Sequence, residues 1–132
     1  THIIQPFNLE GKEWLSVEHY FQAMKFETTS PEYFEKIRQT EDVKKARKLG
    51  ASRFKKVRPD WKKVRRIVMT RAVYTRSHAH PESKKALLET GKRKIIENSQ
   101  YDYFWGCGRD RRGENVYGQV LMDVREKLHA EV

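Results

Sequence analysis

Three polar residues at helical spacing carry the first suggestion of chemistry in this chain. In Ser16-Val17-Glu18-His19-Tyr20-Phe21-Gln22-Ala23-Met24-Lys25-Phe26, a carboxylate, an amide and an amine recur at Glu18, Gln22 and Lys25. Ser16 suits a helix N-cap, and Glu18 then falls in the first turn, where the helix dipole favours negative charge. At about 100° per residue, Val17, Tyr20, Phe21 and Met24 form an apolar stripe, with Glu18, Gln22 and Lys25 as a narrower stripe beside it. The polar stripe is expected at the edge of the core, neither fully buried nor fully wet. Two readings fit it. One is an ion network on a helix face, worth about 0.3–0.5 kcal/mol near a surface. The other is an acid and a nucleophile held side by side.

A second stretch is Asp102-Tyr103-Phe104-Trp105-Gly106-Cys107-Gly108-Arg109-Asp110-Arg111-Arg112-Gly113-Glu114-Asn115-Val116-Tyr117-Gly118. Glycines in this density let a backbone approach a ligand closely. The loop leads into a helix start at Asn115, where free N–H groups and the dipole welcome an anion. Arg109, Arg111 and Arg112 can add phosphate contacts, and Trp105 offers a flat face to a base or sugar. The spacing matches neither the Walker A loop nor the dinucleotide fingerprint. The pattern suits a phosphorylated, aromatic small molecule, and it also suits a glycine-rich turn with Trp105 packed in the core.

The elements that must position these residues belong to a chain of 132 residues, a length suited to one domain with one core. Charged residues make up 35% and hydrophobic ones 37%, so its helices should be amphipathic with heavily charged outer faces. The net charge of +10 suggests a polyanionic partner or an anionic substrate. Cys107 is the one cysteine, which excludes an internal disulfide and a zinc site built on several cysteines, and no base is near it in sequence. His2, His19, His78, His80 and His129 show no ligand spacing, so no metal is expected. No apolar run approaches the ~20 residues of a membrane span and no signal peptide is visible, so no membrane association is expected. The expected location is intracellular, cytoplasmic, or nuclear in a eukaryote. The chain opens on Thr1 without a methionine, as expected of one trimmed at its N-terminus.

Residues 1 to 15 read as extended, with Leu9-Glu10-Gly11-Lys12 turning a short hairpin. The helix after Ser16 is expected to end near Thr28-Thr29-Ser30. Ser30-Pro31-Glu32 starts a short helix whose inner face is Phe34 and Ile37. Thr40-Glu41-Asp42-Val43 starts another, with Val43, Ala46 and Leu49 inward and Gly50 ending it. From Lys44 to Arg66 the chain is densely basic, with Asp60 its one acid. This segment reads either as solvated helix faces or as a phosphate-tracking surface. Asp60 is expected to cap a long helix carrying Trp61, Val64, Val68, Ala72 and Thr75. Pro81-Glu82-Ser83 opens the next, with Ala86, Leu87 and Leu88 inside and Gly91 as its stop. Lys94-Ile95-Ile96-Glu97 is a short strand or extended link. A final helix runs from about Asn115 to Leu128, with Val116, Val120, Val124 and Leu128 along one face.

Taken in order, these motifs resemble the NADAR, or YbiA-like, family. The resemblance rests on Ser-x-Glu-His-Tyr-Phe-Gln-Ala-x-Lys-Phe at 16 to 26, Trp61 ahead of Val68-Met69, and Leu87-Leu88-x-Thr90. It continues through Glu97, Asp102-x-x-Trp105-Gly-x-Gly and the closing Gly-x-Asn-x-x-Gly-x-x-Leu-Met-x-x-Arg of 113 to 125. It implies a mainly α fold, a single compact YbiA-like domain over residues 1 to 132 with one or two short β-strands. It further implies hydrolysis of an N-glycosidic bond to a phosphorylated ribose, with no cofactor. Two substrate classes go with such domains: early riboflavin-biosynthesis intermediates, and ADP-ribose attached to guanine in nucleic acid.

By the same resemblance, Lys25 is the nucleophile that forms a Schiff base, which requires a neutral amine and so a lowered pKa. Glu18 is the general acid and base. Gln22 holds a ribose hydroxyl, and Trp61, Asp102, Trp105, Gly106, Gly108, Asn115 and Gly118 shape the substrate pocket. Arg125 is either a phosphate ligand or a structural pair. The chain departs from the family where only Pro6-Phe7 of a longer opening stretch is present, where Arg76-Ser77 replaces Lys-Phe, and where Gly50-Ala51 replaces Gly-Arg. These departures bear on substrate choice more than on reaction type. The basic 44–66 segment favours ADP-ribosylated guanine in nucleic acid as substrate, acted on by a monomer. A reading of another class is a non-catalytic ADP-ribose or nucleotide-binding module, for which a reactive amine has no purpose.

Overall fold

The structure, a computed structural model, describes residues 4–91, 93 and 116–131. Two strands, β1 (Phe7–Leu9) and β2 (Lys12–Trp14), are followed by helices α1 (Val17–Met24), α2 (Pro31–Arg38), α3 (Val43–Gly50), α4 (Trp61–Ala79), α5 (Pro81–Glu89) and α6 (Val116–Ala130). The fold is mainly α with one small sheet, as expected. It divides into two units, Thr1–Ala79 and His80–Val132.

The first unit begins with the expected hairpin. Glu10 and Gly11 both take positive φ (56° and 78°), the mirror-image turn whose twist matches that of paired strands. The register sets Phe7 opposite Trp14, and both are buried. Trp14 meets Tyr20 and Phe34 edge-on, with ring centroids 5.0 and 5.4 Å away. The hairpin is therefore keyed into α1 and α2 by one indole. The Tyr20 hydroxyl donates to Glu10 in the hairpin turn. Burial pushes the Tyr20 phenol well above its ordinary range.

α1 is the centre of this unit, and α2, α3 and α4 all pack against it. Every residue from Val17 to Met24 is buried. This corrects the expectation of a stripe at the edge of the core: Glu18 is 3% and Gln22 6% exposed, and only Lys25 is half-buried. A helix covered on several sides has no wet edge for its second stripe to occupy. α1 also stops earlier than expected. Phe26 and Glu27 donate to the carbonyls three residues back (2.9 and 3.4 Å), tightening the chain into turns that run to the N-cap Ser30.

Ser30 caps α2 through Tyr33 N, with Pro31 at its first position. Asp42 caps α3. Val43, Ala46 and Gly50 are buried there, whereas Leu49, expected inside, is only half-buried. In α4 the inner face is Val68, Met69, Ala72, Val73 and Ser77, while Trp61, Val64 and Thr75 are half-buried. Asp60 does not cap α4 with its side chain as expected. Its carboxylate is forked by Arg58 (2.6 and 3.1 Å), a charged donor pair that outcompetes a backbone N–H.

In the second unit, α5 follows Pro81 and ends at Gly91, whose φ of 62° is the left-handed conformation that stops a helix. No residue of α5 is buried, and Ala86, expected inside, is exposed. α6 buries Val116, Val120, Val124 and Leu128 as its spacing predicts, with Tyr117 beside them. Arg125 is buried and donates to Thr90 Oγ1 and the Arg93 carbonyl, both at 2.7 Å. Of its two alternatives, these contacts are the structural one.

Candidate active site

The helix that carries Glu18, Gln22 and Lys25 forms because Ser16, extended in backbone, accepts the His19 N–H at 3.1 Å. The His19 ring then returns to the same cap, with Nδ1 2.7 Å from Ser16 Oγ and Nε2 2.7 Å from the Thr40 carbonyl. A carbonyl only accepts, so Nε2 carries the proton and the Ser16 hydroxyl donates to Nδ1. Burial pushes the His19 pKa down, against the opposing pull of the Thr40 carbonyl and of the Glu18 and Asp42 carboxylates. His19 is 0% exposed, and both ring nitrogens are engaged. It is a clamp between the start of α1 and the end of α2.

The stripe beside it lies along α3. Glu18 Oε1 accepts from Arg47 Nε at 2.7 Å and from Gln22 Nε2 at 3.4 Å. The carboxylate thus pairs with a cation 29 residues away, where the sequence had offered Lys25 as a partner on its own helix. Lys25 Nζ donates to the Gly50 carbonyl at 3.3 Å and lies 5.9 Å from the centre of the Phe21 ring. On its other side Phe21 meets Trp61, with centroids 4.9 Å apart. The Arg58 N–H donates to the Lys25 carbonyl at 2.8 Å, so the approach to α4 pins the backbone that carries the amine. Glu18 and Lys25 are two turns apart, about 10.5 Å along the axis.

Gln22 sits between them, and its Oε1 is buried without a hydrogen-bond donor among the described residues. A buried polar atom of this kind is rare in a folded protein and costs about 1–3 kcal/mol. Gly50 is the reason the amide fits. A Cβ at that position would lie 1.9 Å from Gln22 Oε1. Sequence reasoning read Gly50 as a helix stop, but its φ is not left-handed and its role is close approach.

Glu18, Gln22, Lys25 and Trp61 are therefore gathered in one unit around α1 and α3. Gly118 is buried within α6. Asp102, Trp105, Gly106, Gly108 and Asn115, together with the expected strand at 94–97, lie outside the described residues. Arg47 is the site residue that the sequence reading missed. The signal was available: Val43, Ala46 and Gly50 make one inner face of α3, and Arg47 falls within it at helical spacing. Among the described residues, no group of His, Cys, Asp and Glu is placed to hold a metal, and no helix is long and apolar enough to cross a membrane.

Residues 1–129 match the NADAR domain model. The chain is 36% identical over 126 residues to the N-glycosidase YbiA of Escherichia coli (strain K12), covering 96% of this chain and 78% of that protein. It is 34% identical to an N-glycosidase of Nostoc punctiforme, covering 92% and 78%. It is also 37% identical to a riboflavin biosynthesis protein of Vibrio vulnificus, covering 91% of this chain but 32% of that longer protein. The solution structure of E. coli YbiA matches with a TM-score of 0.89 at 36% identity, over 97% of this chain and 75% of that one. The chain belongs to the NADAR domain family.

Proposed function

We propose that this chain is a hydrolase of N-glycosidic bonds, with ADP-ribosylated guanine in nucleic acid as its favoured substrate and Lys25 and Glu18 as its reacting groups. The observation that carries the reading is the buried Glu18–Gln22 pair, held against α3 with one amide oxygen unpartnered, beside an amine fixed at Lys25. A substrate ribose hydroxyl can supply the donor that Gln22 Oε1 lacks. The N-glycosidase names of the E. coli and Nostoc relatives support the reaction class.

In the proposed sequence, the neutral Lys25 amine attacks the anomeric carbon of the ribose. The C–N bond to the base breaks, and the base leaves with that electron pair and a proton. The amine gives up two protons, one to the departing base and one to the ring oxygen as the ring opens, leaving a Schiff base between Nζ and C1. Water then adds to the imine carbon and releases the sugar as its aldehyde, regenerating the amine. Glu18, as the ion-pair partner of Arg47, is an acceptor. It relays protons from Nζ to the base and the ring oxygen in the first half of the cycle, and from water back to Nζ in the second. Trp61 and Phe21 give the amine an apolar wall.

The substrate preference rests on the exposed cations of α3 and the loop that follows it. A second reading is favoured by the name of the Vibrio relative: cleavage of a phosphorylated riboflavin-biosynthesis intermediate. The two are separated by offering the chain an ADP-ribosylated guanosine oligonucleotide and a ribosylaminopyrimidine phosphate side by side. Faster turnover of the oligonucleotide is expected. Cleavage of the aminopyrimidine alone would select the second reading.

A further inference from the structure

The face of α3 opposite the catalytic stripe has features that the glycosidase reaction does not use. Lys44, Lys45 and Lys48 are exposed there, and with Arg53 they line an open groove of ≈ 720 Å³. That size falls in the range of about 300–1,000 Å³ typical of small-ligand clefts. None of these four cations forms an ion pair with a described residue. The one acid in the lining, Asp42, accepts from Lys44 N at 2.8 Å as the cap of α3. At the rim stands Phe54, 95% exposed, on a loop where its N–H donates to Ser52 Oγ at 3.1 Å. The wall opposite includes Tyr33, whose hydroxyl donates to the Leu49 carbonyl.

We propose that this groove binds single-stranded nucleic acid, with one unpaired base stacked on Phe54 and adjacent phosphates held by Lys44, Lys45, Lys48 and Arg53. The proposal deepens the nucleic-acid reading of the substrate and rests on it. Charge complementarity selects a polyanion. An aromatic ring presented to solvent among lysines then selects a polyanion that carries flat π-faces. An acidic peptide supplies the charge without such faces. A lipid surface is planar, whereas these cations line a concavity. A base held inside a duplex has both of its faces covered by its neighbours, so the strand must be single. The groove and the amine share the end of α3: the Leu49 carbonyl accepts from Tyr33 in the groove lining, and the next carbonyl, Gly50, accepts from Lys25 on the other face.

The test is fluorescence anisotropy of the full chain with an unmodified, labelled single strand of about 12 nucleotides, the same sequence as duplex, heparin, and anionic phosphatidylserine vesicles. The single strand should bind more tightly than the duplex. Phe54→Ala should weaken it roughly tenfold and leave heparin affinity unchanged, and Phe54→Trp should restore it. Lys44→Ala with Lys48→Ala should lower the slope of log affinity against log salt by about 1.4, or 0.7 for each phosphate no longer neutralised. Phe54 is nearly fully exposed, so its variants keep the core intact. Phe54→Ala binding the strand like the parent chain would overturn the proposal. So would duplex or vesicles binding as tightly as the single strand. The probe carries no ADP-ribosyl–guanine bond, so the two ideas fail separately. Cleavage of ADP-ribosylated guanosine without strand binding sinks the groove, and strand binding without that cleavage sinks the ADP-ribosylated guanine substrate.

Discussion

Two polar clusters share α1, and they are built to opposite standards. Around His19 every ring nitrogen is engaged, one by the helix's own cap Ser16 and one by the Thr40 carbonyl. One turn along the same helix, Gln22 keeps a buried carbonyl oxygen without a donor among the described residues, and Glu18 draws its cation from another element. His19, Glu18 and Gln22 are all buried, so burial does not distinguish them. Completeness does. A satisfied network fixes a helix in place, whereas a network short of one donor spends stability on a position that a substrate can fill. On the proposed mechanism, the first cluster is scaffold and the second is site.

The largest effect should come from the site. Glu18→Gln keeps the shape but removes the charge that Arg47 faces. Turnover should fall roughly 10²–10⁴-fold, the usual range for a proton-transfer group. Stability should fall by about 1–3 kcal/mol in denaturant melts, since the guanidinium loses its counter-charge while part of it stays in water. Turnover within a few-fold of the parent chain would make Glu18 scaffold as well.

A smaller effect is expected where the site leans on α3. Gly50→Ala places a methyl group on the Gln22 amide, which must swing away from Glu18. Activity should drop about 10–100-fold, as a displacement of about 1 Å near the chemistry can do. Gly50→Ala should also cost about 1–3 kcal/mol for overpacking. Unchanged kinetics would mean that Gln22 does not position the substrate.

The smallest effect on turnover is expected from His19→Asn, which should leave kcat of the folded fraction within a few-fold while lowering stability by about 1–3 kcal/mol. It should also change the pH dependence. His19 is held below its ordinary pKa of 6.5 in the fold, so the unfolded chain binds more protons between the folded value and 6.5. Its contribution is therefore complete above pH 6.5 and is lost as pH falls toward the folded value. The parent chain should lose more Tm than His19→Asn between pH 7.5 and pH 5.5. Equal losses would remove His19 from the acid response.

What was legible in the sequence was local. Ser16, Ser30 and Asp42 declare their helices because a cap needs only neighbours within three residues. Glu10-Gly11 declares its hairpin because few residues accept positive φ. The members of the site on α1 were legible by spacing and by resemblance. The Arg47 pair, the close approach of Gly50 and the depth of the stripe were not, because each depends on α3 crossing α1. Composition also misled: within a run of lysines and arginines, Arg47 looks like its solvated neighbours, and only its place on the Val43–Ala46–Gly50 face sets it apart.

The central claim is that Lys25 is a nucleophile. The most direct measurement is borohydride reduction during turnover of an ADP-ribosylated guanosine oligonucleotide, followed by mass spectrometry of the chain. The account predicts a sugar-derived adduct on Lys25, absent in a folded Lys25→Ala chain that has also lost turnover. Normal turnover by Lys25→Ala, or an adduct on another lysine, would contradict it.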